Sequence, residues 1–180
     1  FMKKVEDSII KPTFDLLREK GHPYKGFLFL GLMNANGDPQ VIEYNVRMGD
    51  PETEAIFPRL KTDMVEMLSG IGKGELGSVA FELEPKTAAT VFVVSEGYPG
   101  TVQKGISMNI KAATIAGSQY VFHAGVKSEN GVLVTNGGRV TAVTVLEDSL
   151  DLAIKKSQEL AQEIQFEGAY YRTDIGLDLQ

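Results

Sequence analysis

Residues 40–52 constrain this chain more than any other stretch, because they combine a strand pattern with a row of polar side chains. β-Branched and aromatic residues dominate positions 40–47, and the turn pair Asn36-Gly37 stands just upstream, so the pattern predicts a strand that returns from a hairpin. Alternate side chains of a strand share a face and lie about 6.6 Å apart. Glu43, Asn45 and Arg47 therefore lie on one face of the predicted strand. The residues of the opposite face are Ile42, Tyr44 and Val46.

The polar row on this strand has two interpretations. Carboxylate and amide oxygens suit a hard cation, and a guanidinium binds phosphate oxygens in a planar, two-pronged way. The row therefore suits a metal ion held against a polyphosphate. However, an antiparallel strand with one solvated face alternates polar and apolar residues in the same way. The strand alone leaves both interpretations open.

The residues that follow the strand favour the metal and phosphate interpretation. Met48-Gly49-Asp50-Pro51-Glu52 predicts a tight turn directly into a helix, with Asp50 as the N-cap and Pro51 as the first helical residue. Helix N-termini expose backbone N–H groups and favour anions. We therefore expect the strand, the turn and the helix N-terminus to converge on one binding site.

Composition limits the class of protein. The chain has 180 residues, enough for one ordinary domain or two small ones, and its 43% hydrophobic and 23% charged content is typical of a soluble globular protein. A net charge of −6 without a Lys/Arg cluster argues against nucleic-acid binding. The absence of cysteine excludes thiolate metal sites and fits a reducing compartment such as the cytoplasm. No apolar run approaches the ~20 residues that span a bilayer. Since the chain opens Phe1-Met2, we expect it to be part of a longer protein.

The first half of the sequence alternates helical and strand patterns. Apolar residues at helical spacing predict a helix over residues 2–20, which Pro12 should kink or break. A near-continuous apolar run predicts a buried strand over residues 26–33. The other predicted elements are a hairpin loop over residues 34–39, a helix behind Pro51 that stops at Pro58 and resumes to Gly70, and a Gly-rich connection over residues 70–77.

After Pro85 the pattern changes to short β-type segments separated by turn residues. This spacing predicts a small antiparallel sheet or flattened barrel. An amphipathic helix follows, opening at Asp148 or Ser149. We therefore expect an α+β chain of two domains, residues 1–85 and residues 86–180. The predicted strands of the second domain are 90–95, 101–104, 107–110, 112–115, 119–126, 132–135 and 139–146.

Four other residues with functional chemistry have weaker patterns. His22 and His123 have no Cys and no second His at metal-ligand spacing, which favours structural roles for both. Arg139, after Asn136-Gly-Gly, and Arg172 in the tail are candidates for a phosphate contact, although an arginine in such a place is more often a hairpin or surface residue.

The polar row and its continuation also resemble a known family. Glu43-Tyr-Asn45-Val-Arg47 resembles the Glu-x-Asn-x-Arg signature of ATP-grasp ligases, and the extension to Met48-Gly-Asp-Pro-Glu-Thr53 is similar to the phosphoribosylamine–glycine ligase (glycinamide ribonucleotide synthetase) family. Further motifs similar to that family run along nearly the whole chain: Ile10-Lys-Pro-Thr13, Tyr24-Lys-Gly26, Gly31-Leu-Met33, Pro58-Arg-Leu60, Gly97-Tyr-Pro-Gly100, His123-Ala-Gly125, Asn136-Gly-Gly-Arg-Val140 and Tyr171-Arg-Thr-Asp-Ile-Gly176.

This resemblance implies a fold and a reaction. The fold is the second half of an ATP-grasp core, an antiparallel sheet with helices, followed by a small β-rich C-terminal domain of the rudimentary single-hybrid type. The reaction belongs to de novo purine synthesis. The family joins glycine to 5-phosphoribosylamine with ATP, through a glycyl phosphate that the amine attacks. The products are glycinamide ribonucleotide, ADP and phosphate.

The resemblance also assigns roles to residues of the row. Glu43 and Asn45 would hold Mg²⁺ or Mn²⁺ against the phosphates of the co-substrate ATP. Arg47 would bind ATP and steady the transferring phosphoryl group, and Asp50 would take a catalytic part on the substrate side. These roles agree with the chemistry, because phosphoryl transfer depends mostly on positioning and on neutralising charge. The substrate residues would be Asp50, Pro51 and Glu52, and Met33 would line the adenine pocket.

The chain departs from the ATP-grasp pattern in two respects. Relatives such as biotin carboxylase carry an additional acidic metal ligand on the preceding strand, at or near the position of Gly31, which has no side chain. Two protein ligands would remain, which suits Mg²⁺ because it keeps waters and substrate phosphates as partners. Nothing here resembles the family's dinucleotide-fold-like N-terminal domain or its Gly-rich lid. We therefore expect this chain alone neither to turn over nor to bind ATP with useful affinity.

Two alternatives to this family remain at the level of sequence. One is another ATP-grasp ligase of purine synthesis, which also acts on small molecules. The other is a non-catalytic β-rich binding module, which would present an exposed lysine at a hairpin tip. Lys127, near Asn130-Gly131, is the nearest candidate for such a lysine.

Overall fold

The computed structural model describes residues 1–111 and 117–179. The strand predicted over residues 112–115 therefore lies outside the described residues. The chain forms two compact units: the first is Phe1–Thr53 with Thr62–Glu82, and the second is Glu54–Lys61 with Leu83–Gln180. No helix among the described residues is long and apolar enough to cross a membrane.

The first unit opens with helical residues that change type in front of a proline. Helix α1 (Met2–Val5) runs into a π-helical turn (Glu6–Ile10) and then into α2 (Lys11–Glu19). Pro12, near the start of α2, has no N–H for the carbonyl one turn earlier, and the π turn ends two residues before it. The break predicted at Pro12 is wrong, because the helical residues continue without interruption from Met2 to Glu19.

The polar row lies on a β-hairpin. Strands β1 (Phe29–Ala35) and β2 (Asp38–Asn45) pair antiparallel as a two-stranded sheet. Asn36 and Gly37 both have positive φ, 55° and 89°, as a type I′ turn requires, and this matches the right-handed twist of the strands. The predicted hairpin is confirmed. However, β2 begins two residues earlier than predicted and ends at Asn45, so Arg47 lies beyond it.

The burial predicted for this hairpin is wrong for the chain as it stands. None of the residues of β1 is fully buried, and Met33 is 55% exposed. On β2, Ile42 is 65% exposed, and Val46, just beyond the strand, is 72% exposed. A sheet of two strands gives the side chains on each face few neighbours. The apolar side chains of this hairpin therefore stay exposed among the described residues.

A broken helix follows the hairpin, as predicted. Helix α3 (Thr53–Ile56) passes into a 3₁₀ turn (Phe57–Arg59) that contains Pro58, and helix α4 (Met64–Lys73) resumes beyond it. Asp63 caps α4, since its Oδ1 accepts the backbone N–H groups of Val65 at 2.8 Å and Glu66 at 3.0 Å. The first part of the predicted Gly-rich connection therefore belongs to α4.

The second unit contains the main sheet. Its four strands are antiparallel in the order β10-β3-β8-β5, and two shorter pairs, β4 with β9 and β6 with β7, complete the β structure that is described. The antiparallel sheet predicted here is confirmed. The strands are β3 (Thr87–Ser95), β4 (Met108–Ile110), β5 (Gln119–His123), β6 (Val126–Glu129), β7 (Val132–Thr135), β8 (Arg139–Glu147), β9 (Ile164–Phe166) and β10 (Ala169–Tyr170).

Two strand predictions in this unit are wrong. Residues 101–104 have no regular structure, and residues 119–126 divide into β5 and β6. The division falls at Gly125, where a Cβ would lie 2.6 Å from the carbonyl oxygen of Arg139. The chain turns there because its backbone meets the start of β8. The residues around Gly125 could not predict this contact, since β8 lies further along the chain.

The core of the second unit lies between this sheet and one helix. Helix α5 (Leu150–Gln162) is capped by Ser149, whose Oγ accepts the N–H of Leu152 at 3.3 Å, as predicted. Its buried face packs on β3 and β8. Each fully buried valine of that core stabilises the fold by about 1.5–3 kcal/mol. The core residues are Val91, Val93, Met108, Val140, Val143, Val145, Leu160, Ala161 and Ile164.

Candidate functional site

Glu43 and Asn45 share one face of β2, as the sequence predicts. Between them, the hydroxyl of Tyr44 lies 3.2 Å from Thr13 Oγ1 on α2, so the opposite face of the strand is the one that meets the helix. Glu43 and Asn45 therefore point away from α2. Glu43 is exposed and Asn45 is half-buried.

Arg47 does not continue the row in the predicted way. Asn45 is the last residue of β2, where it pairs with Phe29, the first residue of β1. Beyond that pair the strand has no partner among the described residues, and the backbone bends at residues 46 and 47. Arg47 Nη1 donates to the carbonyl oxygen of Met48 at 2.9 Å. The strict alternation that placed Arg47 beside Asn45 on one strand is therefore wrong, although Arg47 still follows Asn45 at the end of the hairpin.

Two oxygen-bearing side chains on this face fit a hard cation. Neither Glu43 nor Asn45 makes a side-chain hydrogen bond or ion pair with the residues that the structure describes, so their oxygens are open to a ligand. Within those same residues, no group of three or more His, Cys, Asp or Glu is placed to hold a metal ion. One carboxylate and one amide suit Mg²⁺ or Mn²⁺, which would complete its shell with waters and substrate phosphates.

Gly31 lies directly opposite Glu43 in the hairpin ladder. Residues that face each other across a ladder share a side of the sheet, and Met33 is two residues along from Gly31 on β1. The pairing shifts by one residue between Gly31 and Leu32, and the extra residue, Ile42, is on β2. The alternation along β1 is therefore unbroken, and Gly31, Met33, Glu43 and Asn45 belong to one face of the hairpin. The residue proposed for adenine and the two proposed for the metal are brought to the same side.

The helix N-terminus predicted at Asp50 and Pro51 is wrong. Residues 50–52 form a turn with a cis peptide between Asp50 and Pro51, and the helix begins only at Thr53. The backbone N–H and the Oγ1 of Thr53 both donate to the carbonyl oxygen of Gly49, at 3.3 and 2.5 Å, which closes the turn. Because α3 is only four residues long, it offers no developed N-terminal dipole for an anion.

Phe29 connects the hairpin to this turn. From the sequence we predicted only that Phe29 belongs to a buried strand, and no role at the site. A Cβ at buried Gly49 would lie 2.7 and 2.8 Å from two atoms of the Phe29 ring and 2.5 Å from Glu52 Oε2. The ring and the carboxylate therefore both lie against the bare Cα of Gly49. Phe29 also faces Asn45 across the ladder. The structure thus brings the metal residues and the predicted substrate residue Glu52 to the same end of the hairpin.

The Glu52 carboxylate has an unusual environment. Its Oε2 is shielded from solvent and has no hydrogen-bond donor among the described residues. A buried acceptor without a partner is uncommon, because its lost hydration costs free energy. Asp50 and Pro51, by contrast, are exposed. The turn therefore presents one half-buried carboxylate with a shielded oxygen and two residues open to solvent.

Replacement of Gly49 by alanine should destabilise the first unit by about 1–3 kcal/mol, because a methyl group there overlaps both Phe29 and Glu52. Thermal unfolding of the variant and of the unaltered chain measures this loss. Gly72→Ala is the matched control, since a Cβ at Gly72 in α4 has nothing within 4 Å and its φ is not positive. Equal melting temperatures for Gly49→Ala and the unaltered chain would contradict the packing described here.

The other candidate residues have local partners in the second unit. The Arg139 guanidinium lies 5.2 Å from the centre of the Phe92 ring. Arg172 donates from Nε and Nη2 to the two carboxylate oxygens of Asp174, both at 2.8 Å, and this lowers the pKa of Asp174 below its usual range. Lys127 lies within β6 and pairs with Glu129, so it is not at a hairpin tip. These contacts favour structural roles for the three cations.

Two family profiles match the chain. The profile described as phosphoribosylglycinamide synthetase, ATP-grasp (A) domain, matches residues 1–53. The profile described as phosphoribosylglycinamide synthetase, C domain, matches residues 88–178, which is half of the chain. The chain belongs to the phosphoribosylglycinamide synthetase family. The family resemblance inferred from the sequence motifs is thereby confirmed.

Curated members of the phosphoribosylglycinamide synthetase family are similar along almost all of this chain. The phosphoribosylamine–glycine ligase of Chlorobaculum tepidum is 42% identical over 177 residues, 97% of this chain and 41% of its own length. The trifunctional purine biosynthetic protein adenosine-3 of Homo sapiens is 40% identical over 174 residues, 96% of this chain and 17% of its own length. The chain therefore spans about two fifths of the length of the single-function ligase.

Solved structures agree with this family assignment. The phosphoribosylamine–glycine ligase of Thermotoga maritima superposes with a TM-score of 0.78 at 37% identity, over 96% of this chain and 42% of that protein. The biotin carboxylase domain of the Hydrogenobacter thermophilus 2-oxoglutarate carboxylase has a TM-score of 0.58 at 15% identity, over 86% of this chain and 34% of that protein. The second likeness concerns the fold alone.

Proposed function

We propose that this chain is the C-terminal part of a phosphoribosylamine–glycine ligase, and that its hairpin supplies half of the ATP site. The observation that carries the proposal is the common face of Gly31, Met33, Glu43 and Asn45, at the end of which the Glu52 carboxylate lies. The reaction would join glycine to 5-phosphoribosylamine through glycyl phosphate, with ATP converted to ADP and phosphate. Relatives named for this ligase support that choice of substrates.

Glu43 and Asn45 would hold Mg²⁺ or Mn²⁺. The cation would neutralise charge on the ATP phosphates as the terminal phosphoryl group moves to the glycine carboxylate. The two side chains contribute an anionic oxygen and a neutral oxygen, and neither is engaged by another of the described side chains. Their part is to fix where the cation lies relative to the hairpin.

Arg47 and Met33 would contact ATP at two places. Arg47 has no ion pair among the described residues, and one bond to the neighbouring Met48 carbonyl is a weak restraint. Its guanidinium is therefore able to swing onto the transferring phosphoryl group, where its planar shape gives two parallel hydrogen bonds. Met33, with 55% of its surface exposed, offers an apolar and adaptable side chain for the adenine ring.

Asp50, Pro51 and Glu52 would lie on the substrate side of the phosphoryl group, with Asp50 in a catalytic role. The support comes from Glu52, whose shielded Oε2 requires a hydrogen-bond donor that the described residues do not provide. The amino group of an amino-acid substrate is a donor of the right charge. Asp50 is exposed at the same turn and has an interaction of its own within the chain.

The second unit would be the β-rich C-terminal domain of the family, of the rudimentary single-hybrid type, and the domain boundary would lie between residues 85 and 86. We assign this protein to the cytoplasm, with small-molecule substrates and neither nucleic acid nor membrane as partner. The net charge of −6 supports the part of this assignment that concerns nucleic acid. The alternative of a lysine-bearing binding module has no support from Lys127, which is paired inside β6.

The proposal is tested by measuring ADP release that depends on both glycine and 5-phosphoribosylamine. A full-length ligase that carries this sequence should release ADP, whereas this chain alone should not, because the ATP-grasp profile matches only residues 1–53 here. The matched reactions omit glycine in one case and phosphoribosylamine in the other. Turnover by the isolated chain would contradict the proposal that it holds only half of the ATP site. A full-length protein that is inactive with these substrates would contradict the proposed reaction.

A further inference from the structure

Gly31 lies beside a β-bulge, since the pairing shifts by one residue between Gly31 and Leu32, but the extra residue, Ile42, belongs to β2 and not to β1. Gly31 itself lies inside β1, and its φ is not in the left-handed region, so alanine could adopt the same conformation. A glycine within a strand also packs less well than a residue with a side chain. Such a glycine often marks a place where another group approaches the backbone closely. The question is which group requires the space.

The group that approaches Gly31 is the side chain of Glu43. A Cβ at position 31 would lie 2.8 Å from Glu43 Cγ, closer than real Cβ contacts come. The backbone N and O of Glu43 would be 3.6 Å away, an ordinary van der Waals distance. Only the glutamate side chain therefore occupies the space. Since Cγ is near the root of that side chain, it could not move aside without changing the direction of the carboxylate.

We propose that Gly31 is a positioning residue for Glu43. The missing side chain lets the glutamate lie across β1, on the face that also holds Met33 and Asn45. A methyl group at position 31 would displace Cγ of Glu43 and so change the direction of its carboxylate relative to Asn45, the other residue proposed for the cation. The steric part of this inference stands on the hairpin alone, and its link to metal binding rests on the proposed function of Glu43.

The steric part is tested by a double-mutant cycle on thermal unfolding of this chain. Gly31→Ala should lower the unfolding midpoint by roughly 4 °C or more when Glu43 is present. In the background of Glu43→Ala the same change should cause no fall, because the overlapping Cγ is gone. An equal fall in both backgrounds, or no fall in either, would overturn the coupling between the two positions.

The link to metal is tested with Mn²⁺ alone, by paramagnetic broadening of the Glu43 carboxylate carbon and the Asn45 side-chain amide in NMR spectra. Gly31→Ala should raise the Mn²⁺ concentration that broadens these signals by roughly tenfold or more. Gly72→Ala, which adds a methyl group in open space, should leave it unchanged. Equal broadening in Gly31→Ala and the unaltered chain would overturn the positioning role. Absence of broadening in the unaltered chain would overturn the metal role of Glu43 instead, whatever the thermal cycle shows.

Discussion

Glu43→Gln in a full-length ligase that carries this sequence should lower kcat/KM for the metal–ATP complex by about 100-fold or more. Glutamine keeps the size and one oxygen of glutamate but removes its negative charge. Asn45 is then left as a neutral partner, and two neutral oxygens hold a divalent cation poorly. Steady-state ADP release, measured as a function of Mg²⁺ and then of Mn²⁺, should show that part of the loss is recovered at high metal concentration.

The stability of the Glu43→Gln variant should be unchanged, because Glu43 is exposed and makes no ion pair with a described residue. Glu75→Gln is the control for the loss of one exposed carboxylate, and it should keep full activity. A Glu43→Gln protein that melts early while its folded fraction turns over normally would remove Glu43 from the metal site.

Arg47→Lys should lower kcat on the order of 100-fold although the charge is kept. A lysine ammonium is a compact donor group, whereas the guanidinium makes two parallel hydrogen bonds in one plane. That planar contact matters most as charge spreads over the transferring phosphoryl group, so kcat should fall more than the affinity for ATP. Rapid-quench measurement of the first turnover separates this chemical step from product release.

A control for Arg47→Lys is available on the surface of the first unit. Arg18→Lys changes an exposed arginine of α2 that forms an ion pair with Asp15, three residues earlier, and it should leave kcat unaltered. The role proposed for Arg47 would be refuted by undiminished turnover of the Arg47→Lys enzyme. A rise in KM for ATP with normal kcat would reassign it to ground-state binding.

The part of the site that was predictable depends on short-range chemistry. Asn36-Gly37 determines a type I′ turn through its two positive φ angles, and the turn sets the pairing of the strands around it. The pairing then shifts by one residue between Gly31 and Leu32. Glu43 and Asn45 share a face in either register, because alternation on a strand is local. The same holds for the caps of the helices, where Asp63 and Ser149 satisfy backbone N–H groups a few residues away.

The part that was missed depends on contacts across the chain. Arg47 lies outside β2 because β1 provides no partner beyond Phe29, and this limit is set by the other strand. One miss is local instead: Asp50 is not an N-cap, because the N–H and Oγ1 of Thr53 close the turn on the Gly49 carbonyl four residues earlier. The importance of Phe29 could not be seen without Gly49, against which its ring packs.

The sequence by itself determined the family, the hairpin and the pair Glu43 and Asn45, because motif spacing and strand alternation are properties of neighbouring residues. Only the tertiary structure decided the rest of the site. It put Gly31 beneath the Glu43 side chain, and it put the Phe29 ring and the shielded Oε2 of Glu52 against the bare Cα of Gly49. Such arrangements arise when segments far apart in sequence come within a few ångströms, where steric exclusion rather than local conformational preference selects the residue.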